Sequence, residues 1–400
     1  MGAHLLFLGG EDHNLRLPFM QAMRSKGYRV TAAASGDPAP FAKAGIDYRH
    51  FAFARFVNPL ADWRAVRSLS KLLDSVDADV AHCFDTKLGI LVPIAAGVHR
   101  RTRIIRTING RGWLYSSSSP AALALRAVYL PLQRLAALST AATVFEHHGD
   151  LDFFHRMRLI RKTEGIVIPG AGIDIEGFEA ARKKGPSPNA LRAELGIGDA
   201  EVVTTVTRIT RQKGIPALLE AAALVHAVRP SVKFLLVGPR ESEGPLSVSA
   251  AEIERHSGYV IATGSRPDVP SLLAMSDVFA FPSEYAEGIP RALMEAALCG
   301  LPIVATQVAG CREVITPGHN GALVPLRNPR MLADSILHVL NNRGQAARMA
   351  ARGPELIRGD FSLSSVVDRH AELYERELAR VSGQSPMKNL KPAVSALNQA

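Results

Sequence analysis

"EYAEGIPRALMEAALCGLPIVAT", residues 284–306, reads as a turn, a helix and a strand in direct succession. The apolar run from Pro290 to Leu298 has helical spacing. Pro290 suits the first helical position, because its φ is preset and its missing N–H would be an orphan there. Gly300 caps the far end, and Pro302 leads into the strand IVAT. The helix N-terminus then presents the backbone N–H groups of Gly288, Ile289 and Arg291, with positive dipole potential, at a strand-to-helix turn. That position suits an anionic or polyhydroxylated ligand. Two of its carboxylates carry the question: Glu287 in the turn, and Glu295 among Leu293, Met294, Ala296 and Ala297. A carboxylate buried without partners is strongly destabilising or becomes neutral, so Glu295 needs partners. Vicinal hydroxyls of a ribose could donate to its two oxygens, and Glu287 could serve a second ring in the same way. An ion pair with Arg291, one turn earlier, is the competing partner.

Outward from this unit, short β-branched or apolar runs alternate with helical stretches along nearly the whole chain. The runs are HLLFL, YRVTAAA, DVAHCF, RIIRTIN and AATVF, then EVVTTVTR, KFLLVG, YVIATG, DVFAFP and PIVAT. Such alternation argues for parallel sheets wound with helices. A poorly periodic, Pro- and Gly-marked stretch from Ile168 to about Asp199 separates five strands from five. The expectation is α/β, with two doubly wound domains in series: residues 1–168 and 169–365. A final helix, 366–382, should dock back through Val366, Val367, His370, Leu373, Tyr374 and Leu378, and the polar tail 383–400 should be disordered. In such sheets ligands bind beyond the carboxyl ends of the strands, and the cleft between two facing sheets is the default site. Gly9 and Gly10 after the first strand permit close approach of a ligand, or simply make a tight turn. Gly-x-Gly-x-x-Gly is absent after every proposed strand, which counts against an oxidoreductase.

The chain is 47% hydrophobic, enough for two domains with real cores. Cys83, Cys299 and Cys311 have the spacing of neither a zinc site nor a disulfide framework, so a reducing compartment is expected. The N-terminus lacks a basic region and reads as a strand, not a signal peptide. The long apolar window from Ala121 is interrupted by Arg126, Pro131, Gln133 and Arg134 and is rejected as a membrane span. Residues 1–168 hold 22 Lys and Arg against 13 Asp and Glu, and the remainder 25 against 24, so nine of the ten net positive charges lie in the first part. That asymmetry points to an acidic partner.

In "TVTRITRQKGI", Arg208 ends a strand and Lys213 lies in the loop before Gly214 and a helix. Two cations beside a helix N-terminus make a diphosphate site, with solvated loop charges as the alternative. Together these motifs resemble family 4 retaining glycosyltransferases of the GT-B fold, with two facing Rossmann-like domains and the active site in the interdomain cleft. "AEGIPRALMEAALCGLPIVAT" is similar to the family's Glu-x7-Glu element, "RITRQKG" to its Arg…Lys-Gly element, "KFLLVGP" to its strand-Gly turn and "ATGSRPDVPSLLAMSDVFAFPS" to its base-side loop. "IPGAGIDIEGF" resembles the linker that opens the donor domain, and the likeness runs in order over about residues 3–380. It implies that Arg208 and Lys213 hold the diphosphate, Glu295 the ribose, and Glu287 with the amides of Gly288 and Ile289 the donor sugar. Gly238 would allow close approach of the nucleotide, and Arg266 would lie near the base. On this reading a ligand, not Arg291, is the partner of Glu295.

The implied reaction moves a sugar from a nucleotide-diphosphate donor, UDP-linked, with retention of anomeric configuration. Arg208, Lys213 and the helix N-terminus would stabilise the charge on the leaving diphosphate, so no metal and no cofactor beyond the co-substrate are expected. No Asp-x-Asp motif or His/Asp cluster of ligand spacing stands where a metal could bridge the phosphates. Many relatives carry a His in a Thr-x-His-Gly context after the fourth strand; here the text is "RTINGRGWLYSSSS", with Asn109, which cannot titrate. His82 is another candidate, although a packed core histidine is the stronger reading.

The first domain of this fold holds the acceptor, to which His13, Asn109 and Arg111 are assigned. Arg100, Arg101, Arg103, Arg106 and Arg111 crowd around the strand before that loop, and the next helix displays Leu123, Leu125, Val128, Tyr129, Leu130 and Leu132. With Trp113 and Tyr115, these suit a lipid-diphosphate-linked acceptor at an anionic membrane; an ordinary amphipathic core helix is the alternative. "GRGWLYSS" also resembles the loop of bacterial enzymes that extend polyprenyl-diphosphate-linked sugars. The expected partners are a nucleotide-sugar donor, a lipid-linked or polysaccharide acceptor and an anionic membrane surface, not nucleic acid. The expected location is cytoplasmic and peripheral, on the inner membrane face. A soluble-acceptor transferase, a sugar-nucleotide epimerase or phosphorylase of the same fold, and a non-catalytic basic membrane-binding protein are the rivals.

Overall fold

The structure is a computed structural model that describes residues 2–53, 58–97, 101–111, 114–115, 117, 119–160, 165–240 and 246–381. Arg100, Trp113 and the tail 383–400 lie outside the described residues. The chain forms two compact units, residues 1–172 with 363–400, and residues 173–362.

The first unit carries a seven-stranded sheet of order β3-β2-β1-β4-β5-β6-β7. Its strands are β1 His4–Leu8, β2 Arg29–Ala34, β3 Asp47–His50, β4 Val80–Cys83, β5 Arg103–Ile108, β6 Ala142–Phe145 and β7 Gly165–Val167. The second unit carries six strands in the order β10-β9-β8-β11-β12-β13. These are β8 Val202–Val206, β9 Lys233–Val237, β10 Val260–Gly264, β11 Val278–Phe281, β12 Ile303–Thr306 and β13 Ala322–Val324. Every pairing is parallel. The central strands are buried apolar runs, as a parallel sheet covered on both faces requires.

Each sheet is therefore larger than the five strands expected. The additions, β3, β7 and β13, all stand at sheet edges, where one flank and part of each face meet water and the sequence need not be apolar. The stretch 168–199 is likewise not irregular. It holds the helices Ile175–Lys184 and Pro188–Leu195, capped by the side chains of Asp174 and Ser187.

The C-terminal helix Leu363–Val381 packs on the first unit. Val366, Val367, Leu373 and Tyr374 join the core formed by Leu5, Phe7 and their neighbours. The Tyr374 hydroxyl lies 2.6 Å from His82 Nδ1, and Arg103 donates to the buried carboxylate of Glu377 at 2.6 Å.

The arginines around β5 do not form one basic face. Arg101 and Arg103 lie at the amino end of the strand and Arg111 beyond its carboxyl end, roughly 20 Å apart at the rise of a strand. Between them Arg106 is fully buried, donating to Thr143 Oγ1, Gly89 O and Gln133 Oε1.

Candidate active site

In the second unit the strand order reverses between β8 and β11, so the chain leaves both strands at the same place and in diverging directions. After β8 come Thr207 and half-buried Arg208, then a 3-10 turn, Arg211–Lys213. Gly214 closes that turn at φ +70°, and a Cβ there would stand 1.9 Å from Pro282 O. Only glycine lets the loop press against the exit of β11. The Glu284 amide donates to Gln212 O at 3.0 Å, tying the two loops together.

This packing brings Lys213 to Glu287. The Lys213 Nζ lies 2.6 Å from Glu287 Oε2, and Ser283 Oγ donates to Glu287 Oε1 at 2.8 Å. The ammonium also stands 5.2 Å from the centre of the Tyr285 ring. Lys213 is buried, so the pair sits in a setting where charge counts for more than in water. Each Glu287 oxygen keeps lone-pair capacity for a hydroxyl donor, while the ammonium has further protons for phosphoryl oxygens. Gly288 is held from behind: a Cβ on Gly310 would stand 1.8 Å from its carbonyl oxygen.

Other assignments change on inspection. Pro290 is the N-cap of the helix Arg291–Leu298, with extended backbone, not its first residue. Glu295 accepts from Arg291 Nε at 2.9 Å, so the intrahelical ion pair that competes with a ligand for this carboxylate is present. Burial raises the pKa of Glu295, and Arg291 offsets part of that rise. A raised folded-state pKa means the charged form is disfavoured at neutral pH, and this strain relaxes as pH falls. Glu295→Gln is therefore expected to keep or raise the melting temperature and to weaken nucleotide binding by calorimetry. Unfolding of the variant with unchanged nucleotide affinity would make Glu295 structural.

Gly238, at φ +142°, is required by its own chain, since a Cβ would lie 2.0 Å from Thr207 O. Arg266 is clamped by Asp268 (2.8 and 2.6 Å) and Glu194 (2.5 Å), which pushes its pKa up further and fastens its loop to the helix Pro188–Leu195.

The first unit has its own switch point between β1 and β4. There the Gly10 amide donates to Asp85 Oδ2 at 2.9 Å. Gly9 makes room for a neighbour, because a Cβ would lie 2.0 Å from His13 Nδ1. His13 is buried, bonded to Phe7 O at 3.1 Å and stacked on Phe41. Burial and the nearby Arg16 push its pKa down to about 3, so the His13 ring is neutral and packed inside the unit, where the sequence expected it to face the acceptor. His82 is fully buried between Tyr374 and Thr107, a core histidine.

Asn109 donates to Glu146 Oε1 at 2.6 Å, and Arg111 donates to Asp150 Oδ1 at 2.7 Å. Asp150 is buried beside His147, and burial raises its pKa. Asp85, Glu146, His147 and Asp150, like Ser283 in the second unit, were missed in the sequence. Asp85, Glu146, His147 and Ser283 stand within two residues of a strand's carboxyl end and Asp150 a turn further on, and "EHHGD" after β6 was the legible signal.

Comparison with known proteins agrees with this geometry. The family model "Glycosyl transferase 4-like domain" matches residues 17–171, and "Glycosyl transferases group 1" matches residues 188–356. The chain is 25% identical over 93% of its length, and 98% of the relative's, to the Campylobacter jejuni N,N'-diacetylbacillosaminyl-diphospho-undecaprenol alpha-1,3-N-acetylgalactosaminyltransferase. It is 26% identical, over 80% of its length and 81% of the relative's, to the Escherichia coli UDP-Gal:alpha-D-GlcNAc-diphosphoundecaprenol alpha-1,3-galactosyltransferase. Among solved structures, Anabaena HepE in complex with UDP superposes with TM-score 0.75 at 22% identity, over 94% of this chain and all of that one. With both halves matched in order, and Lys213 and Glu287 joined at the switch point of the second sheet, the chain belongs to the family 4 glycosyltransferases of the GT-B fold.

Proposed function

We propose that this glycosyltransferase moves a hexosyl or N-acetylhexosaminyl group from a UDP-sugar to a saccharide carried on a lipid diphosphate, with retention at the anomeric carbon. The observation that carries the donor side is the pair made by buried Lys213 and half-buried Glu287. The ammonium takes phosphoryl charge as the UDP leaves, Arg208 adds a second cation, and the carboxylate holds sugar hydroxyls. A preorganised donor of this kind lowers the barrier by roughly 3 to 4 kcal/mol. Since these cations do the work a divalent ion would do, the reaction proceeds without metal.

The acceptor side rests on the names of the two relatives above, each of which acts on a diphospho-undecaprenol substrate, and on the hydrogen-bonded Asn109–Glu146 and Arg111–Asp150 pairs at the ends of β5 and β6. Such an acceptor places the enzyme peripherally on the cytoplasmic membrane face. The test is mass spectrometry of the protein incubated with a panel of nucleotide sugars and membrane lipid extract. One lipid-linked product gaining one sugar residue is expected, with EDTA leaving the yield unchanged. A nucleotide sugar epimerised without transfer would refute the reading, and loss of product in EDTA restored by magnesium would refute its metal-free part.

A further inference from the structure

We infer that the helix Pro120–Leu138 lies in the plane of an anionic bilayer surface and carries the acceptor loop with it. This deepens the acceptor side of the proposed function. Leu123, Val128, Leu132, Leu135 and Leu138, between 37% and 60% exposed, project from this one helix. They make up five of the eleven exposed large apolar side chains among the described residues. An exposed apolar stripe of this length marks an interaction site, because isolated exposed leucines are ordinary but contiguous ones are not.

Length and hydropathy alone would let this helix cross a membrane. Its packing forbids that. The helix is the crossover between neighbouring parallel strands β5 and β6, and its other face is committed to the protein. Ala122, Tyr129, Gln133 and Ala136 are buried, and Gln133 Oε1 accepts from the fully buried Arg106 at 2.6 Å. A helix with one face packed on the protein and the other apolar and open is an in-plane binder.

The charge on the page selects a lipid surface over a second protein. The helix has no acidic residue. Arg134 stands on its exposed side and donates to Met157 O at 3.1 Å, which sets exposed Arg156 and Arg158 alongside. Apolar side chains rimmed by arginines match acyl chains beneath anionic headgroups.

The same helix organises the segment after β5. Arg126 donates to Leu114 O at 2.8 Å and Ser117 O at 2.7 Å, and its guanidinium lies 4.9 Å from the Tyr115 ring centre. Tyr115 in turn packs edge-on against Tyr129. The Arg111 guanidinium lies 6.0 Å from the centre of this same Tyr115 ring, so docking of the helix brings Arg111 to the depth of a lipid-borne diphosphate.

The test is co-sedimentation of the full chain with phosphatidylcholine vesicles, with and without phosphatidylglycerol. Wild type is expected on the phosphatidylglycerol vesicles, with binding that falls as salt rises to about 0.5 M. The triple variant Val128→Glu, Leu132→Glu, Leu135→Glu is expected to bind at least about tenfold more weakly. Because all three positions are exposed, its melting temperature should match wild type. A second variant, Arg134→Gln, Arg156→Gln, Arg158→Gln, should lose the preference for phosphatidylglycerol. Undiminished binding by the folded glutamate variant, or a wild type that ignores vesicles, overturns the inference. So does a wild-type dimer in light scattering that the glutamate variant converts to monomer, which would give the face to a second copy of the chain. No sugar transfer is measured, so this outcome is independent of the reaction.

Discussion

Lys213→Ala is expected to lower turnover at least about a hundredfold, from the roughly 3 kcal/mol that one electrostatic donor supplies to a leaving group. The structure adds a second consequence. Glu287 loses its partner at 2.6 Å and keeps only Ser283. Removing one member of a fully buried pair costs about 3 to 5 kcal/mol, and Glu287, with 18% of its side chain exposed, should cost less than that. The melting temperature of Lys213→Ala should therefore fall and should recover in Lys213→Ala/Glu287→Gln, where no charge is left behind. Turnover should not recover, since the double variant restores no cation to the diphosphate. Near-normal turnover in folded Lys213→Ala would move the diphosphate elsewhere. Recovery in the double variant would mean that Lys213 only balances Glu287. Arg208→Ala tests the second cation and is expected to lose turnover on a similar scale.

The groups at the ends of β8 and β11 could be nominated from the sequence because they are local in it. Glu287, Gly288, Ile289 and Glu295 fall within one turn and helix, and Arg208 and Lys213 within one loop, so strand-end position and charge were enough to nominate them. The direct contact between Lys213 and Glu287 was not legible, because it depends on β8 and β11 being neighbours across 74 residues of chain. Periodicity cannot supply strand order. The same limit explains the failures in the first unit. A run of arginines looked like one patch, whereas β5 points them along and into a sheet, so that Arg106 ends in the core and Arg103 on the C-terminal helix. His13 had the right position after β1 to meet a ligand, but Gly9 opens a space that the imidazole itself fills. The apolar helix after β5 was noticed, yet which side faced water was not. Tyr129 turned inward, while Leu135 and Leu138, beyond the residues singled out, turned outward.

Mild acid should unfold the first unit well before carboxylates titrate, because His13, His82 and His370 are buried there with their pKa values pushed down, and buried His4 is shifted the same way. His13 donates or accepts only toward Phe7 O, His370 Nδ1 lies 2.8 Å from Val366 O, and His82 is held between Tyr374 and Thr107. Burial is the leading cause of every shift: it pushes His13 down to about 3 and His370 to about 4, and holds His82 well below its usual value. Arg16 depresses all three further, and His370 and His13 add to the effect on His82. These depressed values mean that the folded protein stays neutral where the unfolded chain, with histidine pKa near about 6.5, takes up protons. Stability is thus fully present above about pH 6.5 and lost as pH falls toward 4, at about 1.4 kcal/mol per pH unit for each histidine. At pH 5 His13 and His370 together remove about 4 kcal/mol, close to the lower end of an ordinary domain's stability, and His82 acts in the same direction. Calorimetric scans from pH 7.5 to 5 should show one transition moving steeply downward. In His370→Phe, whose ring replaces one that already meets Phe19 edge-on at 5.1 Å, the slope should become shallower because one of these proton sites is gone. A melting temperature that stays level over this range would mean the three rings are already charged in the folded protein, and the neutral core described for them would be wrong.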